Sequence, residues 1–494
     1  MAAAARALVT RFQTKLFING AFVDAVSGKT FDVLNPATGE VICRVAEADK
    51  ADIDAAVVAA RTAFKTNWRF TEGSYRRDLL LKLADLLERN IDEVAALESL
   101  DNGKPYFDAV GDVAFSVKTF RYYAGWADKI YGKVCPAEGN HFCFTKHQPI
   151  GVCGQIIPWN FPLVMAAWKL GPALATGNTV ILKPAEQTPL TALRLAELIK
   201  EAGFPDGVVN VVPGFGATAG AAIAEHMDIN KVAFTGSTTV GRVIMAAAAR
   251  TNLKRVSLEL GGKSPLIVCD DADLDLAVNA AAGGIFFNQG QVCTASSRIF
   301  VHESVYDEFV RRAVANAAAR KQGDAFQPGV IQGPLISAVQ ERTVMGYIQK
   351  GVAEGAKCEV GGSKLQQPGY FVVPTVFSNV TDSMTIAREE IFGPVMSVLK
   401  FKTLDEAIER ANSSSYGLAA GIITRDMGNA FQFINEIEAG TCWVNTYDTC
   451  DPAVPFGGFK QSGIGRELGD YALQHYTETK AVFWSIPKAP GVRN

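Results

Sequence analysis

No apolar run in these 494 residues reaches the ~20 needed to cross a membrane; the best, residues 208–212, is broken by Asn210 and stopped by Pro213. Charge of one sign is missing too: 48 Lys+Arg stand against 51 Asp+Glu, a formal net charge of -3. A general nucleic-acid binder would carry a basic excess or stripe. Cysteine pairing is absent as well. The nine cysteines run from Cys43 to Cys450 without a CxxC, which fits neither a disulfide framework nor a zinc ribbon, and no metal site is expected. Repeats and low-complexity tracts are lacking beyond short Ala runs. The N-terminus, MAAAARALVTRFQTK, has too short an apolar stretch and no cleavage pattern for secretion. Its Ala, Arg and lack of acids weakly resemble a transit peptide, but a structured pattern begins by Lys15. Cytosol is the expected location, with the mitochondrial matrix as the alternative.

What remains is a globular composition, 48% hydrophobic and 20% charged, long enough for two to four domains at ~100–200 residues each. Glycine is abundant, at 45, so many backbone positions must turn sharply or approach something closely. The pattern opens with a hairpin whose Asn19-Gly20 is a type I′ turn signal. Helical spacing follows over residues 51–64 and again over 75–100, stopped at 103–105. From 151 to 260 short apolar strands alternate with helices, as in a parallel sheet covered on both faces. A second alternation, from PLIVCD through TVFSNV and GLAAGIITRD to TCWVN, implies another α/β domain. Two period-two segments, NHFCFTKHQPIG and AVFWSIPK, fit neither domain. They read either as arms that pair across subunits or as edge strands within one chain.

Several residues in this frame can carry chemistry. A glycine turn, Gly236 to Gly241, follows the strand KVAFT and opens a helix, the arrangement that aims free N–H groups at a phosphate. A rival loop, Gly214 to Gly220, is one residue out of register for GxGxxG and reads as a decoy or a packing turn. In TVILKPAEQTP, Lys183 and Glu186 lie at the C-terminal end of a strand. A carboxylate there can accept both ribose hydroxyls and repels a 2′-phosphate, which favours NAD over NADP. Cys293 sits among polar and small residues in FFNQGQVCTASS, unlike Cys269 in an apolar strand, and access is what a nucleophile needs. Gly290 beside it would allow backbone to approach a substrate. Glu259, emerging from an apolar strand before two glycines, is either paired structurally or held as a base. Asn160, between Pro158 and Pro162, is either an Asx turn or a preorganised oxyanion donor.

PWNFP, LKPAEQTP, FTGSTTVG, LELGGKSP, FNQGQVC, EEIFGPV and PFGGFKQSGIGRE, in this order, resemble the aldehyde dehydrogenase superfamily, and most of all its class 1/2 tetrameric members. The likeness extends over about residues 15–486. It implies an α/β fold with a Rossmann-like NAD-binding domain (1–126 and 150–261) and an α/β catalytic domain (262–461). A β-strand oligomerisation arm and C-terminal segment (127–149 and 462–494) would build a homotetramer, a dimer of dimers. It also implies NAD-dependent oxidation of aldehydes to carboxylic acids. Cys293 matches the nucleophile that forms a thiohemiacetal, which becomes a thioester on loss of hydride to NAD. Asn160 and the Cys293 backbone N–H match the oxyanion hole, and Glu259 the base that activates water for hydrolysis. For the cofactor the matching positions are Ile157, Trp159, Lys183, Glu186, Gly216, Gly236, Ser237, Glu390 and Phe392. Lys169 and Glu467 resemble a proton relay from Glu259. Phe115, Phe161, Met165, Trp168, Phe287, Val292, Cys450 and Phe456 match an apolar substrate tunnel.

A bulky Phe115, where retinal-type relatives have a small residue, should favour short aliphatic or compact aromatic aldehydes. Val292 and Thr294 flank the nucleophile where Cys is frequent, and Cys450 stands at a tunnel position often aromatic or aliphatic. These departures touch chain length and aromatic preference, not reaction type. Two other readings compete. Acyl transfer to coenzyme A is disfavoured by Glu259, because hydrolysis is what needs a water base. A structural protein recruited from the family is disfavoured because all three catalytic residues are present. The chemistry leads us to expect a lowered pKa at Cys293.

Overall fold

Five short runs in the middle of the chain are largely apolar rather than alternating, and they set the first sheet. In the computed structural model, which describes residues 6–487, they are the strands Val152–Ile156, Thr179–Lys183, Val209–Val211, Lys231–Thr235 and Arg255–Glu259. The first four are buried along their whole length, as strands covered on both faces must be. Helices Pro162–Ala175, Leu190–Ala202 and Thr238–Arg250 make the crossovers that the spacing predicts. In space the five strands run third, second, first, fourth, fifth. This is the doubly wound order, reversing between Val152–Ile156 and Lys231–Thr235, where open sheets bind ligands at the carboxyl ends of their strands. Register brings those ends level: Ile156 opposes Lys183, and Thr235 opposes Glu259.

The sheet has eight strands in all. The hairpin Leu16–Ile18 and Ala21–Val23 extends one side, and its Asn19 and Gly20 have φ of 51° and 74°, the type I′ turn expected of Asn-Gly. At the other edge Gly463–Ile464 pairs with Leu258 and Glu259. A piece of the segment expected in the arm therefore completes the first sheet.

The pattern over 75–100 is two helices, Gly73–Arg89 and Ile91–Asn102. Between them Asn90 leaves helical dihedrals (φ -105°, ψ 20°) and its amide donates to the Leu86 carbonyl at 2.7 Å, closing the first helix. Gly103, left-handed at φ 87°, stops the second. The next helix, Tyr106–Trp126, escapes the sequence pattern because it packs against both Gly73–Arg89 and Pro162–Ala175 and shows no single apolar stripe.

The second alternation is a seven-stranded sheet in the order Lys357–Val360, Thr375–Ser378, Val395–Phe401, Arg298–His302, Pro265–Val268, Ala419–Ile423, Thr441–Val444, parallel except for the first strand. The two period-two segments, His141–Pro149 and Thr477–Ser485, pair with each other antiparallel, from Thr477 opposite Pro149 to Ser485 opposite His141. The outer edge of Thr477–Ser485 has no strand partner among the described residues, and Phe483 and Trp484 on it are exposed. No helix among the described residues is long and apolar enough to cross a membrane. Residues 1–5 of the Ala- and Arg-rich start, and 488–494 of the expected C-terminal segment, lie outside the described residues.

Candidate active site

The loop before Cys293 is forced into an uncommon shape. Asn288, Gln289 and Gly290 are left-handed in succession, at φ 44°, 59° and 71°. For a residue with a side chain this costs ~1–3 kcal/mol, so surrounding contacts must hold the turn. Gly290 does not face a substrate as expected. A Cβ there would strike the Gly393 carbonyl, so the close approach is between two backbone segments.

This loop leads Cys293 into a cavity of about 260 Å³. All eight expected tunnel residues line it: Phe115, Phe161, Met165, Trp168, Phe287, Val292, Cys450 and Phe456. Edge-to-face contacts hold the aromatic wall, with Trp168 and Phe456 ring centroids 5.0 Å apart. Glu259 lines the same space. So do Asp112, Thr235, Thr294 and Asp448, which sequence reasoning did not assign. A carboxylate two residues from tunnel residue Cys450 was the available signal for Asp448. Nothing in the pattern distinguished Asp112, on a helix not read from sequence.

Asn160 is buried behind the wall. Its Nδ2 donates to the Gln291 carbonyl at 2.9 Å, two residues before Cys293, which leaves the second amide hydrogen free. Its own carbonyl accepts from Asn288 Nδ2 at 2.9 Å and from Asn102 Nδ2 at 3.4 Å. Asn102 also donates to the Trp159 carbonyl at 2.7 Å. The Asn160 turn and the cysteine loop are thus cross-linked, a role for Asn102 and Asn288 that neither residue reveals in sequence.

Electrostatics in the cavity run one way. Burial raises the Glu259 carboxyl far above its ordinary value, with Glu467 adding to the effect and Lys169 opposing it. Glu259 Oε2 has no hydrogen-bond partner among the described residues. Lys169 donates to Thr235 Oγ1 at 2.6 Å and pairs with Glu467 Oε1. Burial also raises the Cys293 thiol, and Asp448, Glu390 and Glu259 raise it further. This corrects the expectation of a lowered pKa: the neighbours of this thiol are carboxylates, which disfavour a second negative charge.

A second group of candidates lies across the same strand ends. Ile157 is buried and its N–H donates to the Lys183 carbonyl at 3.1 Å. Lys183 Nζ stands 3.6 Å from Glu186 Oε2, and the Glu186 side chain is 31% exposed. Burial lowers the Lys183 pKa, with Glu186 opposing. A Cβ added at Gly220 of the presumed decoy loop would lie 3.8 Å from the Lys183 side chain, so that loop, with Gly216 facing open space, flanks the Lys183 site. Gly236 donates to the Glu259 carbonyl at 3.0 Å, and the exposed Ser237 caps the helix Thr238–Arg250. The first N–H groups of such a helix have no intrahelical partner. Glu390 Oε1 accepts from the Gly262 N–H at 2.9 Å, and burial pushes its pKa up to about 7. A side chain at Gly261 would collide with this carboxylate. Phe392, at φ 56°, meets Trp159 edge to face at 5.3 Å.

A sequence model of the aldehyde dehydrogenase family matches residues 22–482. The "Aldehyde dehydrogenase, mitochondrial" of Leishmania tarentolae is 62% identical over 478 residues, covering 97% of this chain and 96% of its own. Human "Retinal dehydrogenase 2" is 58% identical over 478 residues, 96% of this chain and 92% of its own. Among solved structures, the NAD+ complex of aldehyde dehydrogenase from Bacillus cereus superposes with a TM-score of 0.96 at 53% identity, covering 98% of both chains.

Proposed function

This chain belongs to the aldehyde dehydrogenase family, and on that premise we propose that Cys293, Glu259 and Asn160 carry an NAD-dependent oxidation of aldehydes to carboxylic acids. The observation that carries the reading is the shared cavity: a thiol and an unpartnered carboxylate in one apolar space, with the Asn160 amide behind the thiol's loop.

The Cys293 sulfur bonds to the aldehyde carbon, and the carbonyl oxygen becomes an oxyanion. The second Asn160 N–H and the Cys293 backbone N–H stabilise that charge in a water-poor site. Because the thiol is raised by its surroundings, its proton needs a nearby acceptor, and we assign that role to the free Glu259 oxygen on the same cavity. NAD supplies the acceptor for the hydride that leaves the former aldehyde carbon. Once it has released the thiol's proton, Glu259 takes a proton from water, whose oxygen bonds to the thioester carbon. The carbon–sulfur bond then breaks, Cys293 is restored and the acid departs. Glu467 and Lys169, paired beside Glu259, pass the proton onward.

The cofactor edge fits NAD. Glu186 can accept the adenosine-ribose hydroxyls with Lys183 beside it, and its carboxylate repels a 2′-phosphate. Gly216, Gly236 and Ser237 border the pyrophosphate site, Ile157 and Trp159 the wall between, and Glu390 with Phe392 the nicotinamide ribose. For substrate, a cavity of about 260 Å³ narrowed by Phe115 supports short aliphatic or compact aromatic aldehydes, since sites for drug-sized ligands run to ~300–1,000 Å³. The unpaired edge and exposed aromatics of Thr477–Ser485 support a homotetramer built through this arm, whose mass in solution is the check. The name of the Leishmania relative supports the mitochondrial matrix, placed second by sequence alone, over the cytosol.

The test of the whole reading is spectrophotometric. Wild type mixed with propanal and NAD should produce NADH, and Cys293→Ala should lose more than ~10⁴-fold in kcat. Equal NADH from both proteins would reject it.

A further inference from the structure

The cavity wall holds one carboxylate that the chemistry above leaves unused. Asp448 follows the strand Thr441–Val444 and is held left-handed, at φ 58°, a conformation Asp adopts more readily than most residues. Its Oδ1 accepts from Thr294 Oγ1 at 2.6 Å, and Tyr447 donates its hydroxyl to the Thr294 carbonyl at 2.8 Å. The residue next to Cys293 is therefore tied at two points to the Asp448 loop. Asp112, the remaining carboxylate of the wall, is committed to the buried Lys104, while Glu259 serves the reaction. Asp448 has no cation within ion-pair distance among the described residues. A carboxylate offers about four acceptor sites, and the Thr294 bond takes one.

We propose that the free oxygen of Asp448 is an acceptor subsite, which makes aldehydes bearing a hydroxyl near the carbonyl the preferred substrates. The inference rests on the reading of this cavity as the aldehyde site. A hydroxyl has few other acceptors here, since the neighbouring wall is Phe287, Val292, Trp443, Cys450 and Phe456. Without a partner it would lose its hydration on entry; against Asp448 it exchanges water for a bond to a carboxyl. The adjacency to Cys293 through Thr294 places that bond close to the reacting carbon, so the 2-position is favoured. Burial raises the Asp448 pKa and weakens its charge, which suits a neutral hydroxyl better than a cation.

Propanal and 2-hydroxypropanal differ only by this group, and their kcat/KM ratio with NAD reads the subsite. Wild type should prefer the hydroxylated aldehyde by ~10-fold or more. Asp448→Asn can keep its oxygen on Thr294 while turning an amide donor towards the cavity, so the preference should fall to about one or below. Asp448→Ala should lose it as well. Any change at Cys293 affects both aldehydes and cancels in the ratio. A wild-type ratio near one, or a ratio unchanged in Asp448→Asn, overturns the proposal. Lack of wild-type turnover with either aldehyde would instead reject the aldehyde reading itself.

Discussion

The two sides of the strand ends solve opposite problems. Around Cys293 the walls are apolar, and Cys293, Glu259 and Asp448 all have pKa values moved by burial towards the neutral form. On the proposed cofactor side Glu186 and Ser237 reach solvent, and Lys183 sits against an opposite charge. A water-poor site strengthens the few hydrogen bonds that stabilise an oxyanion, at the cost of making thiolate and carboxylate harder to form. An open polar edge suits a ligand that enters and leaves each cycle. The same strands position both: Lys183 ends one and Glu259 another.

The largest expected effect lies on the buried side. Glu259→Gln should cut steady-state kcat by ~10²–10⁴-fold. Rapid mixing should show NADH formed slowly and to no more than about one per subunit, because thiol deprotonation and hydrolysis both lose their base; a burst at the wild-type rate would confine Glu259 to hydrolysis. The wild-type pH profile follows from the direction of the shifts. Base and nucleophile act only when deprotonated, and both are raised, so activity should climb with pH through values well above the ordinary carboxylate pKa of ~4.3. In cofactor-free protein, iodoacetamide labelling of Cys293 should have its midpoint above ~8.5, and a midpoint below that would restore a lowered thiol pKa.

Asn288→Ala tests the cross-link between the two walls. It removes the bond to the Asn160 carbonyl and a side chain held at φ 44°, so kcat should drop ~10-fold with KM for NAD unchanged. A rise in KM for NAD without loss of kcat would assign it to the cofactor side. The smallest effect belongs to the open edge. Glu186→Gln should weaken NAD only severalfold, while raising the NADP-to-NAD ratio of kcat/KM by about tenfold as 2′-phosphate repulsion is relieved. An unchanged ratio would show that Glu186 does not face the adenosine ribose.

Local signals were legible where one residue type meets one backbone need. Asn19-Gly20 announced its turn, and the buried runs announced parallel strands. Tunnel residues scattered from Phe115 to Phe456 were legible only through family resemblance, since an aromatic by itself reads as core. The break at Asn90 was hidden because the apolar spacing continues across it. Asn102, Asn288 and Asp448 were hidden because their partners lie far along the chain: Asn160 for the first two, Thr294 for the third. The sign of the Cys293 shift depended first on burial and then on carboxylates at 448, 390 and 259, none of which a window around residue 293 contains.

Sequence alone determined the absence of a membrane-length apolar run, the near balance of charge, the alternating elements and the identity of a thiol, a carboxylate and an amide able to carry the chemistry. Those are properties of composition and of short-range spacing, where periodicity and turn preference act within a few residues. The tertiary structure decided which of these groups share a space and in which direction their pKa values move. Strand register placed Lys183 and Glu259 at one edge, loop packing tied Thr294, next to Cys293, to Asp448, and burial set the direction of each shift. Burial and long-range charge depend on what surrounds a group in space, and only the folded chain fixes that.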